Sequence, residues 1–181
     1  MKRAIALRYA LLGAVLAAFV CGIVARVLRA SAAMEMPRVE LNANNIGPRE
    51  LEDLTSKSVQ RDYAFAWQTM RQALEENRPG LLDGYFTGLA KKSLTERVNC
   101  QLKSGLRTRT TDRGHHLEAI FYSPAGDVMQ LRDRAQVDVQ VLDGDKVLYE
   151  GPENLQYTVL MTPGADRWLV RELQAMNGEK P

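Results

Sequence analysis

Apolar residues recur with two different periods along this chain, and the change falls near Gly105. Before it, Val59, Tyr63, Ala66, Trp67, Met70 and Leu74 return every three or four residues, which puts them on one face of a helix. Thr55 or Ser56 caps its start, and Asn77, Arg78, Pro79 and Gly80 stop it. Leu81, Leu82, Tyr85, Phe86 and Leu89 predict a short second helix, broken near Gly88. Leu94, Val98, Leu102 and Leu106 predict a third, with Ser93 or Thr95 near its start and Gly105 closing it.

Past Gly105 the period falls to two. Residues 116–123 are apolar and aromatic and lead into a turn at Ser123, Pro124, Ala125, Gly126 and Asp127. Ala135, Val137, Val139 and Val141 alternate with Gln136, Asp138 and Gln140, and Asp143-Gly144-Asp145 is a hairpin signal. Residues 155–162 and 167–173 predict two further strands around a turn holding Gly164. Helices followed by a meander of about four antiparallel strands make an α+β domain, with the first helix covering one face of the sheet.

A different pattern precedes this domain. Residues 9–25 carry no charge and are bracketed by Arg8 and Arg26. At about 1.5 Å per residue such a helix nearly crosses a hydrocarbon layer of roughly 30 Å. Lys2, Arg3 and Arg8 outweigh Arg26 and Arg29, which keeps the N-terminus in the cytoplasm and puts the remainder outside the cytoplasmic (inner) membrane. The alternative is a signal peptide cleaved near Ala32, leaving a secreted or periplasmic domain. Arg26 and Arg29, between the apolar run and the small residues at 30–32, argue for the uncleaved anchor. The chain thus divides into an anchor or signal over 1–30 with its span at 9–25, a linker over 31–50, a domain over 51–176 and a tail over 177–181.

Charge and cysteine count narrow the function. The 24 basic and 22 acidic residues leave 19 against 21 beyond Pro37, because Lys2, Arg3, Arg8, Arg26 and Arg29 face only Glu35 before it. A domain this close to neutral has no field for capturing nucleic acid. Cys100 is the only cysteine beyond the apolar run, so the exported domain has no internal disulfide, and a buried inert thiol is expected there. No phosphate loop, nucleophile elbow or metal motif occurs, so no metal or cofactor is expected.

The helix-then-sheet order resembles the nuclear transport factor 2-like superfamily. The carrying residues are 63–67 in the first helix, Gly84-Tyr85-Phe86 in the second, and Tyr157-Thr158-Val159-Leu160 leading through Gly164 to Asp166-Arg167-Trp168-Leu169-Val170. The resemblance covers residues 51–176 and implies a cone in which helices close over a strongly bent sheet. In layout it is similar to the branch of the type IV secretion inner-membrane scaffold and the mitochondrial import tether. It implies a single-span protein with an exported non-catalytic domain for protein–protein interaction or envelope assembly, with a protein partner or a second copy of itself. The alternative it implies is a ligand-binding or acid–base enzyme of the ketosteroid isomerase or SnoaL-like type.

Candidate residues follow for each. An enzyme would draw its acid–base group from Asp138 or His116. Against this, Val137, Val139 and Val141 claim the buried face and leave Asp138 to solvent. His115 and His116 point to opposite strand faces and cannot share a metal. Tyr63, Trp67, Tyr85, Phe86 and Tyr122 either line an apolar pocket or form core. Lys91, Lys92, Arg97, Lys103, Arg107, Arg109 and Arg113, against only Glu96 and Asp112, form a basic stretch that either meets an anionic surface or is simply solvated.

The anchor is testable on whole cells. Membrane-bound protein should resist carbonate extraction while protease added outside the inner membrane digests the C-terminal domain. A product beginning at Ala33 would show cleavage instead.

Overall fold

The computed structural model describes residues 36–176. The anchor at 9–25 and the tail at 177–181 lie outside the described residues, as does Cys21. Among the described residues no helix is long and apolar enough to cross a membrane.

The apolar stripe forms α1, Asp53–Glu76, burying Val59, Tyr63, Ala66, Trp67, Met70 and Leu74. It begins ahead of the expected caps, with Asp53 in the first turn, where its charge suits the helix dipole. It ends at Asn77, whose left-handed backbone (φ 52°) directs its N–H to the Ala73 carbonyl.

The second helix is where the sequence reading needs correction. A short 3-10 turn, Pro79–Gly84, replaces it. Past Tyr85, Phe86 bridges Val170 of the last strand in parallel: Thr87 N–H donates to the Val170 carbonyl, and Val170 N–H to that of Tyr85, both at 2.9 Å. Burying Phe86 while filling a sheet edge overrides local helical spacing. Gly88 therefore starts α2, Gly88–Ser104, rather than breaking a helix. Its φ is +54°, and a Cβ there would lie 3.1 Å from the Arg171 carbonyl oxygen. Gly105 ends α2 in left-handed conformation (φ 71°) as expected.

The α+β class is the observed one. Four strands form the antiparallel meander: β2, Leu106–Tyr122; β3, Met129–Asp143; β4, Lys146–Pro163; and β5, Trp168–Ala175. A fifth, β1 (Val39–Asn42), pairs parallel to β2 inside the stretch expected to be linker, so the sheet is mixed, in the order β1-β2-β3-β4-β5. β2 and β4 run 17 and 18 residues, much longer than their apolar segments suggest. Irregularities at Asp112/Gly114, Ala119/Phe121, Val141/Leu142 and Leu160/Met161 let these long ladders bend around the helices.

The inner face holds Leu117, Ala119, Met129, Leu131, Ala135, Val137, Val159, Met161 and Val170 against α1 and α2. The expected valine alternation holds at Val137 but fades to half-buried at Val139 and Val141, towards the β3–β4 turn. Cys100 corrects another expectation: it is exposed on α2.

Trp168 is buried and sets its ring 6.2 Å from that of Tyr122. Its tie to α1 is polar. The buried Asp62 carboxylate accepts the Trp168 backbone N–H at 2.8 Å and the exposed Arg61 guanidinium at 2.8 Å. Asp62→Ala should therefore cost about 2–3 kcal/mol in urea unfolding, by leaving a buried N–H without acceptor, and Asp62→Asn distinctly less. Trp168→Ala should cost roughly 3–5 kcal/mol by cavity formation. An unchanged midpoint for both would show that this seam does not hold the first helix to the last strand.

Candidate functional site: a buried aspartate–histidine–aspartate network

Three elements send polar groups into the core at one place. Tyr63 and Trp67 are four residues apart on α1 and therefore share its buried face. His115 lies on the inner face of β2, in step with Leu117 and Ala119, and Asp133 lies on that of β3, in step with Leu131 and Ala135. Asp133 faces Leu117 across the ladder, so His115 is its diagonal neighbour.

Asp112 reaches the same face through an irregularity. An odd separation from His115 should set the two on opposite faces of a regular strand. The ladder however passes from Asp112↔Val137 directly to Gly114↔Gln136, with Arg113 as the extra residue. This restores Asp112 to the inner face and turns Arg113 outward, where it clamps Asp138 through two bonds of 2.7 and 2.8 Å. Gly114, at φ +150°, supplies a backbone conformation that other residues rarely adopt.

The geometry is that of a bracketed imidazole. His115 Nδ1 lies 2.8 Å from Asp133 Oδ2, and Nε2 lies 2.8 Å from Asp112 Oδ2. Tyr63 donates its hydroxyl to the same Asp133 oxygen at 2.8 Å. The side chains of His115 and Asp133 are fully buried and that of Asp112 is 4% exposed. Trp67 leans over the imidazole with ring centroids 4.3 Å apart, and Tyr157 meets Trp67 edge-on at 5.7 Å.

Burial opposes charge on His115, but hydrogen bonds to Asp112 and Asp133 and the attraction of both carboxylates overcome it and push its pKa up to about 9. At neutral pH both ring nitrogens therefore carry protons and donate them. Burial, reinforced by Asp133, raises the Tyr63 hydroxyl well above the usual tyrosine range. One imidazolium between two carboxylates leaves a net buried charge of −1 when both aspartates are ionised. Oδ1 of Asp112 and Oδ1 of Asp133 have no hydrogen-bond partner among the described residues.

Such a network holds three elements together, and it contains the parts of an acid–base centre. It is closed, however. Two surface grooves open elsewhere. One of about 520 Å³ lies on the outer sheet face between Glu40, His116, Glu118, Arg132 and Arg134; the other, of about 210 Å³, lies between α2 and β5 beside Leu89 and Leu173. Neither is lined by Tyr63, His115 or Asp133.

The residues singled out from sequence are dispersed. Asp138 is tied to Arg113, and His116 sits on the outer face 3.3 Å from Glu40. Among the five aromatic residues, Tyr63 and Trp67 surround His115, while Phe86 and Tyr122 are buried elsewhere in the core. Tyr85 is half-buried and stacks on Phe65 at 5.5 Å. The basic stretch is divided. Lys91 pairs with Asp83, Arg109 with Glu75 and Arg113 with Asp138, Arg107 bonds the Gly144 carbonyl, and Lys92, Arg97 and Lys103 are exposed on α2. Sequence reading missed Asp133 and Asp112 and gave His115 no role in the core. Asp133 had a signal: extending the period of two back from Val137 meets it between Leu131 and Ala135.

No family model and no curated protein matches the chain. Solved structures do. The intermembrane space region of the chloroplast protein ARC6 superposes with a TM-score of 0.61 at 14% identity, covering 71% of this chain and 98% of that one. A scytalone dehydratase-like protein from Novosphingobium aromaticivorans gives a TM-score of 0.45 at 12% identity, covering 68% of this chain and 85% of that one. The first likeness is one of fold alone. The architecture that the first shares with this chain is α+β, helices packed on a five-stranded mixed sheet.

Proposed function

We propose that this chain is a single-span protein of the cytoplasmic membrane, anchored by residues 9–25, whose outer domain is a non-catalytic module that binds protein in an envelope assembly. The observation that carries the non-catalytic part is closure of the interior. The inward acid and base groups are sealed from solvent and bonded to one another, so their role is to join α1, β2 and β3. The fold likeness to a domain from an intermembrane space is an analogy in the same direction. The acid–base alternative has one observation in its favour, the inward Asp133–His115–Tyr63 set. It requires α1 to move aside before a substrate could enter.

Tyr63→Phe separates these readings. It removes one hydroxyl and should cost about 1 kcal/mol of stability. A binding module carrying it should still complement a deletion strain and migrate in a native complex of unchanged size. A folded, membrane-localised Tyr63→Phe protein that fails to complement would favour the acid–base enzyme.

The network also predicts a pH dependence. The folded-state pKa of His115 lies above that of an unfolded histidine, so its stabilisation is complete below about pH 6.5 and is lost as pH rises through about 9. The loss should amount to about 3 kcal/mol, read as a falling urea midpoint across that window. His115→Gln should be less stable at pH 6 and nearly flat over the same range. A flat profile for the unaltered protein would mean that the imidazolium does not brace the core.

A further inference from the structure

The free edge of β4 before Tyr157 is blunted by Glu150, Pro152 and Glu153. The outer face of the sheet has no such guard. Glu40, His116 and Arg134 lie opposite one another on β1, β2 and β3. Two residues back along β3, Arg132 lies opposite Glu118. The groove of about 520 Å³ lies over these two rows.

Most of the charges there cancel. Glu118 Oε2 takes Arg132 at 3.1 Å, and Glu40 is shared by Arg38 at 3.1 Å and His116 at 3.3 Å. Arg134 is exposed, faces His116 on one side and Gln156 on the other, and has no carboxylate partner among the described residues. Its diagonal neighbour Glu118 is already held by Arg132. One guanidinium is left unmatched, and its planar fork fits a carboxylate. Past Arg132 the face turns apolar. Ile120 and Phe121 are 37% and 38% exposed, and Ile120 is the residue that the ladder irregularity adds. Phe121 lies opposite Gln130, four residues from Arg134 on β3, or about 13 Å along the strand.

We propose that this outer face docks an acidic segment of a partner protein, with a carboxylate on Arg134 and a large apolar side chain on Ile120 and Phe121. This rests on the reading of the domain as a protein-binding module and names the surface it uses. Side chains four positions apart on one face of an extended chain are also about 13 Å apart. The segment therefore lies extended along β3, its acidic and apolar residues four positions apart. A small anion would satisfy Arg134 and leave the apolar pair bare. An anionic lipid layer would set its headgroups against Glu40 and Glu118 as well.

A dye-labelled peptide, Ser-Glu-Thr-Ser-Thr-Leu-Ser, tests the surface by fluorescence anisotropy on the full-length protein in phosphatidylcholine nanodiscs. It should bind the unaltered protein. Arg134→Glu should weaken binding by at least about tenfold and make the protein prefer the same peptide with lysine in place of glutamate. Phe121→Ser should weaken binding of this peptide but not of a version with serine in place of leucine. Lys92→Glu and Leu89→Ser, on α2, should change nothing. All four residues are exposed, so the variants should fold, as an unchanged urea midpoint would show. The proposal fails if the peptide does not bind, if binding survives Arg134→Glu, or if Lys92→Glu lowers it equally. Competition by inorganic phosphate as strong as that by unlabelled peptide would make a small anion the occupant instead. Arg134-dependent binding to phosphatidylglycerol vesicles, without peptide binding, would make it lipid. Native gels of membranes separate the two levels of failure. A complex of unchanged size with Arg134→Glu would place the partner elsewhere on the domain. No complex with the unaltered protein would overturn the module reading and this surface with it.

Discussion

One histidine decides how this fold is held together. His115 is surrounded by aromatic rings, and without two carboxylates its charge would be untenable there. Asp133 and Asp112 make it an imidazolium, and Tyr63 brings α1 into the same set of bonds. Buried ion pairs contribute little net stability against well-packed apolar residues, but removing one partner is expensive. The network therefore makes its three elements interdependent. α1 cannot leave without stranding the tyrosine, and β2 cannot slip along β3 without separating His115 from Asp133.

A second polar tie acts at the other end of the sheet. Asp62 precedes Tyr63 on α1 and receives the backbone N–H of Trp168, which opens β5. Two consecutive residues of one helix thus reach two distant strands, and the apolar core closes between them. This placement sets the Tyr63 and Trp67 rings against His115. The helix is positioned by hydrogen bonds of fixed length, and Tyr157 packs edge-on against Trp67.

Much of this was legible in the sequence wherever burial imposed a period. α1 was visible because its apolar residues span several turns, and the β3–β4 turn because Gly144 sits between two runs of strand residues. β1 was not, since four residues carry too few repeats and pairing with β2 defines them. The inner aspartates were lost for different reasons. Asp133 was legible by extending the alternation of β3 beyond Ala135. Asp112 was not, because the extra residue at Arg113 reverses the parity, and the sequence marks it only by a glycine. The same parity made His115 readable as the inward histidine, in step with Leu117 and Ala119, leaving His116 for the outer face.

The free edge has the same origin as the closed interior. A helix of 24 residues is about 36 Å long, whereas a strand of 18 extends about 60 Å. One helix clasped to the sheet at Asp62 and Tyr63 cannot cover strands of that length. The burial pattern records where cover ends, since β3 changes from buried Val137 to half-buried Val139 and Val141, and β4 is exposed throughout residues 146–150. β5 is shorter still, at 8 residues, and joins β4 only at its covered end. The overhang is therefore uncovered on two counts, on its face and along its edge. Natural sheets meet that condition with charge, proline or a partner. Here charge and proline guard residues 150–153, and the extra residue at Leu148 twists the edge before them.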